Sequence, residues 1–322
     1  MLLRLHKLSI SLESADAAVR DGWAALFEGW LAEDDAQAAA DLRLRLALRP
    51  TLPPLPEAVP IFSDSALWPD GVGVLRVYAV EGGALLHFVD AGQVSVPLLA
   101  AGGRALVDIE GIVGPGAFSH GRFEDVTLTS LAPGLRRRGY FLLHAFAAAR
   151  NGRCILISGG TNTGKTTTGL NLVLRGWRLL ANDAVLLEAR SDGVYALPTP
   201  GNVGIRPDTF ALLPELAARL GVDGVAAVDV PSERLAPGVW GPPARVSAIL
   251  FPEIVAGAAS AAAPLPAGIA LARLLAESVD RWDPALLDAH VALLEGLGRQ
   301  AEAYTLRLGR DMEQLATLIN SL

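Results

Sequence analysis

Residues 153–187 read RCILISGGTNTGKTTTGLNLVLRGWRLLANDAVLL. An apolar run, a glycine-rich stretch, an amphipathic run and a second apolar run follow one another here, and that order decides the fold class. Gly159, Gly164, Lys165 and Thr166 satisfy the pattern GxxxxGK[ST], with Gly160, Thr161, Asn162 and Thr163 at its open positions. Lys165 is the informative residue, because the chain holds only one other lysine, Lys7, against 25 arginines. With composition as the background, roughly two such chains per thousand match by chance. Cys154–Ile157 reads as a short buried strand ahead of the loop, and Thr166–Leu174 as a helix stopped by Arg175-Gly176.

A loop in that setting surrounds phosphates with backbone N–H groups, and the helix N-terminus adds a partial positive charge. The compact ammonium of Lys165 fits between β- and γ-phosphate oxygens, where a planar guanidinium would not. Gly159 through Thr167 are therefore the candidate ATP-binding residues, and the Thr166 hydroxyl is a candidate Mg²⁺ ligand. Asp183, which interrupts the apolar run from Leu179 to Leu187, is the second candidate ligand. Read within a buried parallel strand, its carboxylate needs compensation by magnesium or a substrate proton. Read at the tip of a turn between two short strands, Asn182-Asp183 needs none. His144 also has two readings. It is a hydrogen-bonded core histidine of an apolar segment, or an active-site group brought towards the phosphate end of the sheet by a hairpin turning at Asn151-Gly152.

The stretch from Leu143-His144-Ala145 through Glu188 resembles the catalytic core of the HPr kinase/phosphorylase family, especially its shorter, divergent relatives. That family carries a His-Gly pair, a strand, a strand–loop–helix unit and then RGHRLVADD; this chain has RGWRLLAND. The resemblance implies that Lys165 binds phosphate, that Thr166 binds Mg²⁺, that Asp183 accepts the proton of a substrate hydroxyl, and that His144 is a further active-site residue. It also implies ATP-dependent phosphorylation of a serine in a protein or precursor peptide, and it allows a homo-oligomer, since the family's members often form hexamers. The chain departs from the family at Ala145, Thr167 and Asn182, where the family has glycine, glutamate and aspartate. Leu197–Gly201 holds no counterpart of its metal-binding glutamate. Reverse phosphorolysis and HPr itself as acceptor are not carried over. A kinase for a small hydroxyl-bearing metabolite and a nucleotide-binding module that transfers nothing are the alternatives, and Asn182 with the missing glutamate favours the module.

A net charge of −7 argues against nucleic acid or an acidic membrane surface as partner. Arg136-Arg137-Arg138 reads as a solvated helix end. One cysteine, Cys154, excludes an internal disulfide framework, and no long apolar run follows Arg4, His6 and Lys7, so a cytoplasmic location is expected. The uncharged stretch Ile254–Ala272 contains Pro264 and Pro266 and reads as a loop leading into a buried helix rather than a membrane span.

The expected organisation is a smaller α+β N-terminal domain over 1–133, then an α/β P-loop HPr kinase-like catalytic domain over 134–322. In the first, Leu2–Leu12 reads as a strand and Val19–Leu31 as a helix. Leu42–Leu48, Val72–Val80, Ala84–Val89 and Val94–Leu99 alternate like antiparallel strands, and Thr51–Pro60 is a proline-rich connection. In the second, strands are expected at Val194–Leu197, Val246–Phe251 and Ala303–Leu308. Helices are expected at Asp208–Leu220, Ile269–Val279, Pro284–Leu297 and from Met312 on, giving a sheet wrapped on both faces.

Overall fold

The computed structural model describes residues 1–32, 39–64, 75–98, 106–119 and 121–322. The chain forms two compact units, Met1–Gly139 with Asp280–Leu287, and Tyr140–Val279 with Asp288–Leu322. Both are sheet-rich mixtures of strand and helix.

In the first unit the strands are β1 (Leu2–Leu5), β2 (Leu8–Glu13), β3 (Leu31–Ala32), β4 (Leu42–Leu48), β5 (Phe62–Asp64), β6 (Leu75–Val80), β7 (Gly83–Phe88), β8 (Gly92–Pro97) and β9 (Val107–Val113). Among the described residues they make one sheet in the order β3-β1-β2-β4-β9-β8-β7-β6-β5. Alternation places Leu42, Leu44 and Leu46 in the core, while Arg43 and Arg45 lie on the other face and pair with Glu13, Asp108 and Glu110 of neighbouring strands. Helices α1 (Ala17–Leu26) and α2 (Arg122–Arg136) complete the unit. The single strand expected over Leu2–Leu12 is instead a hairpin, because His6 takes a left-handed conformation (φ 58°) and reverses the chain. Val72 to Val74 and Leu99 lie outside the described residues.

The arginine triplet is not solvated, contrary to the reading from sequence. Arg136 is fully buried and ion-paired with Asp280, and Arg137 meets Asp283 at 2.5 Å. Both carboxylates arrive with the Asp280–Leu287 segment, more than 140 residues downstream, which no local pattern reveals. The expected boundary at 133/134 falls inside α2, and the first unit continues to Gly139. Burial holds the Asp280 carboxyl above its ordinary pKa although Arg136 pulls it down. Arg136→Ala is expected to cost about 3–5 kcal/mol in urea denaturation, because a buried carboxylate loses its partner. Arg136→Met with Asp280→Leu, which removes both charges, should recover most of that. A single-variant loss within the ~0.5 kcal/mol of ordinary surface substitutions would contradict it.

The second unit carries β10 (Tyr140–Leu143), β11 (Ala145–Arg150), β12 (Arg153–Ser158), β13 (Arg178–Ala181), β14 (Val185–Arg190), β15 (Gly193–Leu197), β16 (Asn202–Ile205), β17 (Val228–Pro231), β18 (Ala244–Ile254), β19 (Ala261–Pro264) and β20 (Glu302–Leu308). The main sheet runs β10-β14-β15-β18-β12-β11-β13, with β20 parallel to β18 and β19 antiparallel to β20; β16 and β17 form a separate ribbon. Its helices are α3 (Lys165–Leu174), α4 (Pro207–Leu212), α5 (Pro214–Leu220), α6 (Ala267–Ala276), α7 (Leu287–Gln300) and α8 (Met312–Ser321). The alternating side chains of β12 divide the core. Ile155 and Ile157 pack with Leu170 of α3 and Leu315 of α8, and Leu156 packs with Leu274 of α6 and Leu294 of α7. Each such buried aliphatic side chain contributes about 1.5–3 kcal/mol.

The helix expected over Asp208–Leu220 is two helices, broken at Leu213-Pro214 because proline cannot donate to the preceding turn. The stretch beginning at Ile254 contains β19 before α6. No helix among the described residues is long and apolar enough to cross a membrane.

Candidate active site

The β11–β12 hairpin sets the site's frame. Asn151 and Gly152, at φ 53° and 78°, make the two-residue turn that the right-handed twist of the strands favours. The register then pairs Ala145 with Ser158, so His144 lies beside the last residue of β12, whose hydroxyl donates to the His144 carbonyl at 3.3 Å. The glycine-rich loop begins immediately after.

Glycine is required at two loop positions. Gly159 and Gly164 have φ of 151° and 99°, and a Cβ at Gly164 would lie 2.4 Å from the Leu308 side chain of β20. Within the loop Thr163 Oγ1 donates to the Gly160 carbonyl at 2.9 Å. Lys165 opens α3, is buried, and donates through Nζ to the carbonyls of Gly159 (2.7 Å) and Gly160 (3.0 Å). Its ammonium thus folds back over the loop's start. Desolvation lowers its pKa against the opposing pull of Asp183 and Glu277. Thr166 is half-buried, and the Thr167 hydroxyl is 2.7 Å from that of Thr209 in α4.

Asp183 does not lie in a buried parallel strand. β13 and β14 on either side of it pair antiparallel with their neighbouring strands, β13 adding a single parallel bridge from Leu179 to Trp240, and Asp183 takes a left-handed conformation (φ 61°) at the corner between them, with a side chain 53% exposed. Aspartate and asparagine tolerate that backbone better than most residues. Asn182 donates through its amide to Asp183 Oδ2 and to the Asn202 carbonyl, both at 3.1 Å.

His144 meets two carboxylates. Its Nδ1 lies 2.7 Å from Glu277 Oε2, and its Nε2 lies 3.8 Å from Asp183 Oδ1. The sequence reading missed Glu277, which follows α6 and is 133 residues from His144. The bond is fixed by the backbone as well. The His144 N–H donates to the Glu277 carbonyl at 2.9 Å, and the next residues, Ser278 and Val279, bridge to Leu143 and Leu142 of β10.

Burial works to lower the imidazole's pKa, and Lys165 adds to it. The carboxylates of Asp183 and Glu277 outweigh both and raise it from 6.5 to about 9. For Asp183, desolvation raises the pKa, but His144, Lys165 and Asn182 prevail and hold it below the ordinary carboxylate value. A raised histidine pKa gives stability that is fully present below about 6.5 and lost as pH rises through about 9. NMR titration of the His144 ring should therefore show an imidazolium at neutral pH, and Glu277→Gln should move its midpoint down towards 6.5. A midpoint near 6.5 in the unmodified protein would contradict this charge arrangement.

Of the residues singled out from sequence, His144, Lys165 and Asp183 thus form one electrostatic cluster at the mouth of the Gly159–Gly164 loop. No family model matches the chain, and neither does any curated protein. Among solved structures the HPr(Ser) kinase/phosphatase from Coxiella burnetii is similar at 14% identity and a TM-score of 0.30, over 56% of this chain and 94% of that one. At that level the likeness fixes neither fold nor activity.

Proposed function

We propose that the second unit is an ATP- and magnesium-dependent kinase of P-loop type that phosphorylates the serine hydroxyl of a protein or precursor peptide. The observation that carries this reading is Lys165, the chain's second and last lysine, held over the loop carbonyls within the electrostatic reach of Asp183 and His144. The loop's N–H groups and Lys165 bind the β- and γ-phosphates. Asp183, ionised and exposed, receives the acceptor's proton. The bond from the γ-phosphorus to the β-phosphate oxygen breaks, the bond from phosphorus to the serine oxygen forms, and ADP leaves with the electron pair. His144, charged and anchored by Glu277, keeps the Asp183 carboxylate ionised and oriented.

Hard oxygen donors at Thr166 and Asp183 fit magnesium, which takes few protein ligands and completes its shell with phosphate and water. Among the described residues no group of three histidine, cysteine or acidic side chains is suited to hold a metal, so the ion would be shared with the nucleotide. When bound it neutralises phosphate charge.

A nucleotide-binding module without transfer is the second reading. It is favoured by Asn182, which presents an amide to Asp183 where the resembled family has a second carboxylate. Labelled ATP incubated with the protein, Mg²⁺ and serine-bearing peptides or small alcohols separates the readings. Label on a peptide supports the proposal, and label on a small alcohol makes it a metabolite kinase. Tight ATP binding without Mg²⁺ dependence and without turnover leaves the module.

A further inference from the structure

We infer that Arg206 is a catalytic residue of this site, a guanidinium supplied by the same chain to the γ-phosphate during transfer; this rests on the kinase reading above. Nothing in the sequence marks it. It stands between the end of β16 and the first turn of α4, 41 residues beyond Lys165.

Two contacts place it. Its Nη1 donates to Oδ1 of Asn162, a loop residue held at φ 63°. Independently, the hydroxyls of Thr209 and Thr167, 2.7 Å apart, tie the first turn of α4 to the first turn of α3. Val203 and Ile205 are buried with Leu170 and Leu172 of α3, so the backbone leading to Arg206 is anchored in the core. The side chain itself is 52% exposed and touches one carboxylate, Asp208, at 3.4 Å. A half-exposed guanidinium on a rigid stem, over the loop that surrounds the phosphates, is poorly explained as a stabilising ion pair.

Its chemistry fits the charge that develops there. As the phosphorus leaves the β-phosphate oxygen for the acceptor oxygen, negative charge spreads over the transferred group's equatorial oxygens and the departing oxygen. A planar fork of N–H donors can hold two of those oxygens at once, whereas an ammonium presents one point charge. Lys165, buried at the base of the loop, and Arg206, above Asn162, therefore divide the work. The lysine binds phosphate in substrate and product alike, and the arginine adds most when the transferred group is planar.

Calorimetric titration of MgADP with and without aluminium fluoride, which mimics the planar phosphoryl group, tests this in the full chain. Aluminium fluoride should tighten MgADP binding by the unmodified protein. Arg206→Ala and Arg206→Lys should bind MgADP as before yet lose roughly 100-fold of that gain, and millimolar guanidinium should restore part of it to Arg206→Ala. An undiminished gain in Arg206→Ala, or no gain in the unmodified protein, overturns the inference while leaving nucleotide binding intact. Failure of the unmodified protein to bind MgADP at all overturns the kinase reading and the inference with it. Should the alanine variant misfold by circular dichroism, Arg206→Lys, which keeps the charge and the stem, decides alone.

Discussion

Lys165→Ala is expected to weaken MgATP binding by roughly 10- to 100-fold, since a hydrogen bond between charged groups is worth about 1.5–3 kcal/mol. The folded protein should lose little. The ammonium is buried, desolvation already lowers its pKa, and its hydrogen bonds go to the carbonyls of two half-buried loop glycines. Removing a costly buried cation offsets much of what those bonds contribute. The two effects separate in thermal unfolding. Saturating MgATP at about 100 times Kd stabilises a binding protein by about 2.7 kcal/mol, so the unmodified chain should melt higher with nucleotide. Lys165→Ala should melt near the unmodified apo protein and, at the same nucleotide concentration, gain only about 0.4–1.4 kcal/mol. An equal shift in both proteins would remove the loop from the nucleotide site. Lys165→Arg should fail almost as fully, because the planar fork has no room where Nζ reaches Gly159 and Gly160.

What could be read from the chain in advance was whatever its neighbours in sequence determine. The alternation of Leu42 to Leu48, the Asn151-Gly152 turn and the helix from the loop to Leu174 are local patterns, and each is found where periodicity and turn chemistry place it. The run from Leu179 to Leu187 misled because apolar content reports burial but not direction. One residue at φ 61° turns a continuous apolar run into two strands with an exposed carboxylate at the corner. The partners of the site's side chains were out of reach altogether. Glu277 comes to His144 from the end of α6, Arg206 comes to Asn162 from the start of α4, and Asp280 comes to Arg136 across 144 residues. None lies in a motif, and only the folded topology brings them together. Charge balance follows the same logic. Lys165 and His144 could be named from sequence, whereas the second carboxylate that makes His144 an imidazolium could not.

Asp183→Asn isolates the step that distinguishes a kinase from a nucleotide-binding module. Asparagine accepts the left-handed backbone at this corner about as well as aspartate does, so the fold and the β13–β14 connection should be kept. The change removes the group that takes the acceptor's proton and one of the two carboxylates that hold His144 in its charged form. Phosphoryl transfer should fall by roughly 100- to 10,000-fold, the contribution of a positioned general base. MgADP binding should weaken less than transfer, because the ion that Asp183 would help hold keeps Thr166, phosphate and water as ligands, and the loop and Lys165 still bind the phosphates. The His144 midpoint should also drop below about 9, because Glu277 alone then opposes burial and Lys165. The pH dependence carries the sign. The Asp183 carboxyl titrates below its ordinary range, so transfer by the unmodified protein should stay level through neutral pH and fall only in acid. In the variant that acid limb should disappear with the carboxylate. Transfer at an unchanged rate in Asp183→Asn would show that the acceptor loses its proton elsewhere. The corner between β13 and β14 would then be a turn and nothing more, and Glu277 and His144 would be left to hold each other.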